Sequence, residues 1–339
     1  MTEQKLPTTL KPKDYATDQE VRWCPGCGDY AIVKGVQTML SQIQADVAKT
    51  VFISGIGCAA RFPYYMATYG FHTIHGRAAT VATGLKLANP DLDVWIVGGD
   101  GDALSIGGNH LMHLLRRNVN CQYLMFNNEI YGLTKGQYSP TSRTGTRSPS
   151  SPEGSIEQPV HALSLALGAG SRFIARAGDI KIKELIETLK KARLHEGASF
   201  VEILQNCIVY NDGVFDHIMD KAHAKGAQIH LEDGQPMRFG VDNNKGLRLK
   251  SGRIELEVVT IGEDGIDEVD ILIHDETDKM MATMLAAMDA PAFPVAMGVL
   301  YCDPGPTYDL QMEGVMERAT AKKESLQELM NSGYTWTID

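Results

Sequence analysis

Residues Gly98–Gly132 read GGDGDALSIGGNHLMHLLRRNVNCQYLMFNNEIYG, and this stretch decides the fold. An apolar run, Val94–Val97, stops at Gly98 and Gly99, and Asp100 sits on the turn that follows. Ile106–Leu115 carries apolar residues at helical spacing. A second apolar run, Tyr123–Phe126, ends at Asn127 and Asn128. The order is strand, glycine turn, helix, strand, which is a parallel βαβ unit. Both strands of such a unit end at the same sheet edge, so Asp100 and Asn128 converge there. An aspartate, an amide oxygen and a backbone carbonyl are hard oxygen ligands. They suit Mg²⁺, which leaves its remaining positions to water and phosphate oxygens. The glycines let backbone N–H groups approach a pyrophosphate.

GDG alone fits an ordinary βα turn with an acidic cap. GDG followed, one helix and one strand later, by NN at a strand end resembles the thiamine diphosphate (ThDP) motif of the ThDP-dependent enzymes. That resemblance implies that Asp100, the Asn128 side chain and the Ile130 backbone carbonyl hold Mg²⁺ on the cofactor's diphosphate.

Bulk properties set the frame. The 339 residues suffice for one large α/β domain with an appendage, or for two domains. A formal charge of −10 argues against a general nucleic-acid binder, whose footprint is basic. No apolar run is long enough for a membrane span, and the polar N-terminus has no secretory h-region. The expected compartment is the cytoplasm, where six cysteines point to metal or reactive thiols rather than disulfides.

Along the chain, residues 1–20 read as an N-terminal arm that packs on a partner. Cys24 and Cys27 form a C-x-x-C around Pro25 and Gly26, ahead of an amphipathic helix over Asp29–Leu40. That pair alone also fits a zinc knuckle or a redox dithiol. Thr50–Ser54 is a strand, and the turn after it, Gly55–Ala60, places Cys58 at a strand end. His75, in the sequence HGR before a helix over Ala78–Ala88, lies between two cofactor turns and is a candidate active-site residue. Tyr131–Pro159 is a polar loop of unusual length, and such loops are functional or disordered. Further helices are expected at His161–Gly170 and Ile180–Leu194, and strands at Phe173–Arg176 and Ser199–Leu204. The last strand runs into Gln205, Asn206 and Cys207. Residues 21–210 thus form the α/β domain. Residues 211–339 read as a C-terminal extension without assigned chemistry, holding β-like runs IELEVVTI and VDILIH and helices at Lys279–Met288 and Leu310–Met330.

Cys24, Cys27, Cys58 and Cys207 occupy turns or strand ends, whereas Cys121 and Cys302 read as structural thiols. Four thiolates from separate segments hold a [4Fe–4S] cluster or a zinc ion. One C-x-x-C with two single cysteines leans to the cluster. The chemistry adds a reason: oxidative use of ThDP needs an electron acceptor, and zinc has no redox chemistry.

CPGCG, GIGC, HGR, GDGDALSIGGNH, NNEIYGLTKGQ and a late QNC occur in this order over Trp23–Cys207. Together they resemble the β subunits of 2-oxoacid:ferredoxin oxidoreductases, most closely those acting on 2-oxoglutarate. The resemblance implies a mostly parallel sheet with helices on both faces, a pyrophosphate-type ThDP-binding domain with a C-terminal extension. It implies the reaction of a 2-oxo acid with coenzyme A and oxidised ferredoxin to acyl-CoA, CO₂ and reduced ferredoxin, in either direction. It assigns Cys24, Cys27, Cys58 and Cys207 to the [4Fe–4S] cluster. It places Gly55, Ile56, Gly57 and Cys58, then Asp100, Gly101, Asp102 and Ala103, then Asn128, Ile130, Tyr131, Gly132, Leu133 and Thr134 around the cofactor. His75 is set near the thiazolium and the substrate.

The glutamate that activates the aminopyrimidine in ThDP enzymes has no second α/β domain here to carry it. The resemblance implies that an α subunit supplies it, in an (αβ)₂ heterotetramer. For a dicarboxylate such as 2-oxoglutarate, Arg61 is the candidate for the distal carboxylate. The alternatives are a pyruvate or broad 2-oxoacid enzyme, a non-oxidative ThDP enzyme with structural zinc, and an iron–sulfur scaffold that has lost the cofactor.

Overall fold

The computed structural model describes residues 9–321 and 325–338. Residues 1–8 of the expected arm lie outside the described residues. The rest of the arm packs on its own chain: Tyr15 is fully buried and its hydroxyl donates to the Ala45 carbonyl at 2.7 Å.

The strands in chain order are β1 Thr50–Ser54, β2 Tyr69–His72, β3 Asp93–Gly99, β4 Cys121–Asn127, β5 Ile130–Tyr131, β6 Gln137–Tyr138, β7 Phe173–Gly178, β8 Ala198–Leu204, β9 Gln228–His230, β10 Arg238–Phe239, β11 Lys245–Leu249, β12 Leu256–Thr260 and β13 Val295–Cys302. The main sheet has the order β2-β1-β3-β4-β8-β7-β13-β9. From β2 to β7 all neighbours are parallel, whereas β13 runs antiparallel to β7 and β9 joins β13 in parallel. The extension therefore completes the sheet with two strands. Its other strands, β10–β12, form a small sheet of their own.

The central strand β4 is buried along its whole length. A parallel strand covered on both faces needs apolar side chains on both, which is why CQYLMF shows no alternation. On one face, helices α1 (Asp29–Gln42) and α5 (Ile182–Leu194) set Ile32, Val36, Leu185 and Leu189 against Phe52, Trp95 and Phe126. On the other, α2 (Ala78–Ala88), α3 (Gly108–Arg117) and α4 (Ala162–Gly168) pack with the helix Lys279–Ala286 on Ile96, Tyr123 and Phe200.

The run VDILIH forms no strand. Asp267 and Asp270 cap each other across a 3₁₀ turn over Glu268–Asp270, and beyond it only Ile273 makes a single bridge, to Pro236. The turn takes Val269 and Asp270 out of extension, and Ile273 stands opposite Pro236, which has no N–H to carry a ladder further. The helix expected over Leu310–Met330 is described as Tyr308–Ala321 and Leu326–Asn331.

Candidate active site

Parallel register brings the strand ends together: Ser54 pairs with Val97, Gly99 with Phe126, and Asn127 with Leu204. The loops after β1, β3, β4 and β8 therefore share one edge, and those after β1, β3 and β4 enclose a cleft. All the expected cofactor residues line it except Gly55 and Ala103. Ala103 is buried beneath the turn, and Gly55 stands behind Asp102.

Asp100 is buried at the cleft floor. Burial pushes its carboxyl up, and hydroxyl donors from Ser139 and Thr141, each 2.6 Å from Oδ2, pull it back toward the ionised form. The Asn128 amide donates to Gln205 Oε1 at 2.8 Å, and its Oδ1 accepts from the Ile130 N–H at 3.2 Å. Between them Glu129 has φ of 52°, a left-handed residue that lets Asn128 and Ile130 both reach the cleft. Burial raises the Glu129 carboxyl to about 7, opposed by Arg143 at 3.5 Å. Asn127 turns away from the cleft, donating to Glu202, which in turn pairs with Arg176 at 2.7 Å. The turn itself requires glycine at Gly101, where a Cβ would lie 2.0 Å from the Tyr131 ring.

His75 reaches the cleft with Nδ1 held 2.6 Å from Asp102 Oδ1. The same oxygen accepts the backbone N–H groups of Ile56 at 3.0 Å and Gly76 at 2.7 Å. A π-helical turn over Asp102–Ile106 aims the carboxylate inward, and its Oδ2 is buried without a partner. Asp102 thus fastens the loops after β1, β2 and β3 to one another.

The cysteines gather beside this cleft. A Cβ placed on Gly132 would stand 3.4 Å from Cys207 Sγ and 3.6 Å from Cys58 Sγ, so the bare backbone of Gly132 separates two thiols. Cys58 is pushed up to about 12 by burial, then by Asp29, Cys207 and Cys24, while Arg61 opposes the shift. Cys27 is pushed up by burial and then Asp29, with Cys58 and Cys207 adding to it. Cys27 and Cys58 thus both lie close enough to Cys207 to feel it, and Cys24 is the exposed member. Cys121 is fully buried inside the sheet, away from this group, and Cys302 lies beside His195. Among the described residues, no three His, Cys, Asp or Glu side chains close in on a point suited to a single ion.

Arg61 lies in an adjoining groove with Tyr64, His72 and Leu133, which shares Ile56 and Gly57 with the cleft. Its neighbour Arg22 pairs with Glu20 at 2.8 Å, whereas Arg61 makes no ion pair among the described residues.

Two residues escaped the sequence reading. Gln205 is almost fully buried, and its side chain joins Asn128 to Cys27, whose Sγ is 3.3 Å from Nε2. Asp29 opens α1, is buried with Oδ1 unpartnered, and is raised to about 7 by burial, against a hydrogen bond from Cys27. The sequence signal for Gln205 was its place one step past a buried strand. For Asp29 it was its place next to C-x-x-C.

Fold and cleft together define a thiamine pyrophosphate-type domain. Residues 55–203 match the family described as thiamine pyrophosphate enzyme, C-terminal TPP binding domain. The chain is 47% identical to the 2-oxoglutarate oxidoreductase subunit KorB of Mycobacterium tuberculosis, covering 98% of this chain and 91% of that one. It is 45% identical to 2-oxoacid:ferredoxin oxidoreductase 1, subunit beta, of Aeropyrum pernix, over 58% of this chain and 62% of that one. Among solved structures it is similar to the 2-oxoglutarate:ferredoxin oxidoreductase of Magnetococcus marinus with 2-oxoglutarate, coenzyme A and succinyl-CoA bound. That match has a TM-score of 0.76 and 34% identity, and covers 97% of each chain. The chain belongs to the β subunits of the 2-oxoacid:ferredoxin oxidoreductases.

Proposed function

We propose that this chain is the diphosphate-holding half of a CoA-acylating 2-oxoglutarate:ferredoxin oxidoreductase. It converts 2-oxoglutarate, coenzyme A and oxidised ferredoxin to succinyl-CoA, CO₂ and reduced ferredoxin, reversibly. The observation that carries the reading is the shared wall between cofactor cleft and thiols: Cys58 and Gly132 line the cleft, and Gln205 links Asn128 to Cys27. The 2-oxoglutarate assignment rests on the names of the relatives and on the unpaired Arg61.

The residues fit the groups the family implies. Asp100, the Asn128 amide oxygen and the Ile130 carbonyl would hold Mg²⁺, with Ser139 and Thr141 orienting Asp100 and Gln205 orienting Asn128. Cys24, Cys27, Cys58 and Cys207 would hold a [4Fe–4S] cluster, which keeps its thiolates farther apart than one ion does. The bare backbone at Gly132 leaves room between two of these sulfurs. Bound here, ThDP supplies the chemistry of 2-oxo acid decarboxylation and the cluster a one-electron acceptor. Phe126, Ile130 and Leu133 line the cleft with apolar surface and exclude water from it. Arg61 offers a bidentate fork to a distal carboxylate.

The pyrimidine-side glutamate comes from an α subunit, in an (αβ)₂ assembly that docks ferredoxin. Exposed Tyr69, Phe71, Ile74 and Ile106 on and beside edge strand β2 support such a partner next to His75. No helix among the described residues is long and apolar enough to cross a membrane.

The test is co-expression with the α subunit, anaerobic purification, iron and zinc analysis, and EPR after addition of 2-oxoglutarate. A cysteine-dependent cluster signal supports the reading. One zinc with no iron, or turnover without an electron acceptor, overturns it.

A further inference from the structure

Asp102 was expected among the residues around the diphosphate. Its surroundings give it another task. Oδ1 is filled by donors from the protein: Ile56 N, Gly76 N and the His75 ring. Oδ2 is shut behind Gly55, where an added Cβ would come within 2.0 Å of it. A carboxylate without a free edge has nothing to offer an anionic diphosphate except repulsion.

The same contacts fix the state of His75. Two backbone N–H groups already point at Oδ1, which leaves that oxygen an acceptor, so the proton shared with His75 sits on Nδ1. In the neutral ring Nε2 is then the lone-pair nitrogen. The Asp102 side chain is 1% exposed and that of His75 37%, so the held edge is buried and the other edge opens on the cleft. Cys58, Asp100, Tyr131 and Asp29 line the same cleft, and Arg77 is turned back onto the His75 carbonyl at 3.0 Å.

We propose that Asp102 is a positioning residue: it fixes His75 with the proton on Nδ1 and so presents Nε2 of the neutral ring as acceptor to a proton-bearing group of the reacting substrates, such as the coenzyme A thiol. The carboxylate–imidazole pair is the arrangement by which a second group sets tautomer and ring orientation. The inference rests on the functional reading above.

The test uses the αβ complex with His75→Gln, Asp102→Ala, Asp102→Asn and the double variant His75→Gln/Asp102→Ala, measuring kcat, KM for 2-oxoglutarate and calorimetric affinity for Mg²⁺–ThDP. Loss of a positioned acid–base group costs about 100-fold or more in turnover in His75→Gln and in Asp102→Ala. Because Asp102 acts through His75, the double variant falls no further than either single one. Asp102→Asn keeps one oxygen as acceptor for Ile56, Gly76 and the His75 ring, so turnover stays within about tenfold and cofactor affinity and KM within about threefold. His75→Asn supplies a second route: its amide keeps a donor toward Asp102 and lacks Nε2, so turnover is lost while cofactor affinity is kept. Multiplied losses in the double variant, wild-type turnover in His75→Asn, or a loss in Asp102→Asn as large as that in Asp102→Ala would each overturn the proposal. If Asp102→Ala fails to assemble, turnover kept in Asp102→Asn and lost in His75→Asn decides. A wild-type complex that binds no ThDP sinks the functional reading instead.

Discussion

Replacing Gln205 by leucine probes the link between the two halves of the site. The side chain accepts from Asn128 at 2.8 Å, donates to the Asn206 carbonyl at 2.6 Å and lies 3.3 Å from Cys27 Sγ. Leucine fills a similar volume and removes all three contacts. The groups left without partners are half-buried, so each costs toward the low end of about 1–3 kcal/mol, roughly 3 kcal/mol for the set of three. In a domain of this size that lowers the melting temperature by several degrees, at about 2–4 °C per kcal/mol. The larger effect falls on function. An outer residue that orients a metal ligand is worth about 10–100-fold in metal affinity, so Mg²⁺-dependent ThDP binding weakens by that factor. Removing an N–H donor from a sulfur of the proposed cluster would also lower its reduction potential, and a tenfold change in the equilibrium corresponds to about 59 mV for one electron. Calorimetric titration of Mg²⁺–ThDP and an EPR redox titration of the αβ complex measure both. Gln205→Glu separates them, because it keeps the acceptor for Asn128 and loses the donor to Cys27. Unchanged cofactor affinity and unchanged potential in Gln205→Leu would refute the bridging role.

Thr141→Val removes a hydroxyl shared between Asp100 Oδ2 and Asn127 Oδ1; Mg²⁺ affinity should drop about tenfold by the same reasoning, and an unaltered titration would show that Ser139 alone suffices. Arg61→Ala should raise KM for 2-oxoglutarate far more than for pyruvate, by about 10–100-fold for a lost charged contact; equal effects on both substrates remove Arg61 from that role. His195 is buried and neutral, pushed down to about 4 by burial and then by Arg172. Its folded value lies below the unfolded value of about 6.5, so its contribution is present above pH 6.5 and is lost as pH falls through 4. That amounts to about 3 kcal/mol. Thermal melts between pH 4 and 7 should show a shallower slope for His195→Gln, and an identical slope would contradict the assignment.

Much of the cleft's lining was legible in the chain. Asp100 and Asn128 are far apart in sequence, yet a parallel βαβ unit delivers both strand ends to one edge, and glycine turns mark those ends. Strand Thr50–Ser54 and helix Ala78–Ala88 fall where apolar periodicity puts them. The apolar stretch around Val299 was harder to place. The strand begins at Val295 and pairs antiparallel to β7, because pairing partners are a tertiary choice. VDILIH shows the opposite error: β-propensity was outweighed by two aspartates that cap a local turn.

The sequence by itself determined the family, through motifs in a fixed order, and marked candidate ligands: an aspartate and an asparagine at strand ends, and cysteines at turns. What only the tertiary structure decided is how those groups are held. Gln205 faces Asn128 and Cys27 because β8 lies between β4 and β7, an order no local pattern encodes. Asp102 sits in the same motif as Asp100, two residues on, yet Asp100 turns to Ser139 and Thr141 at the cleft floor and Asp102 to His75. A π-helical turn separates their directions, and direction is a property of packed backbone that residue identity does not carry.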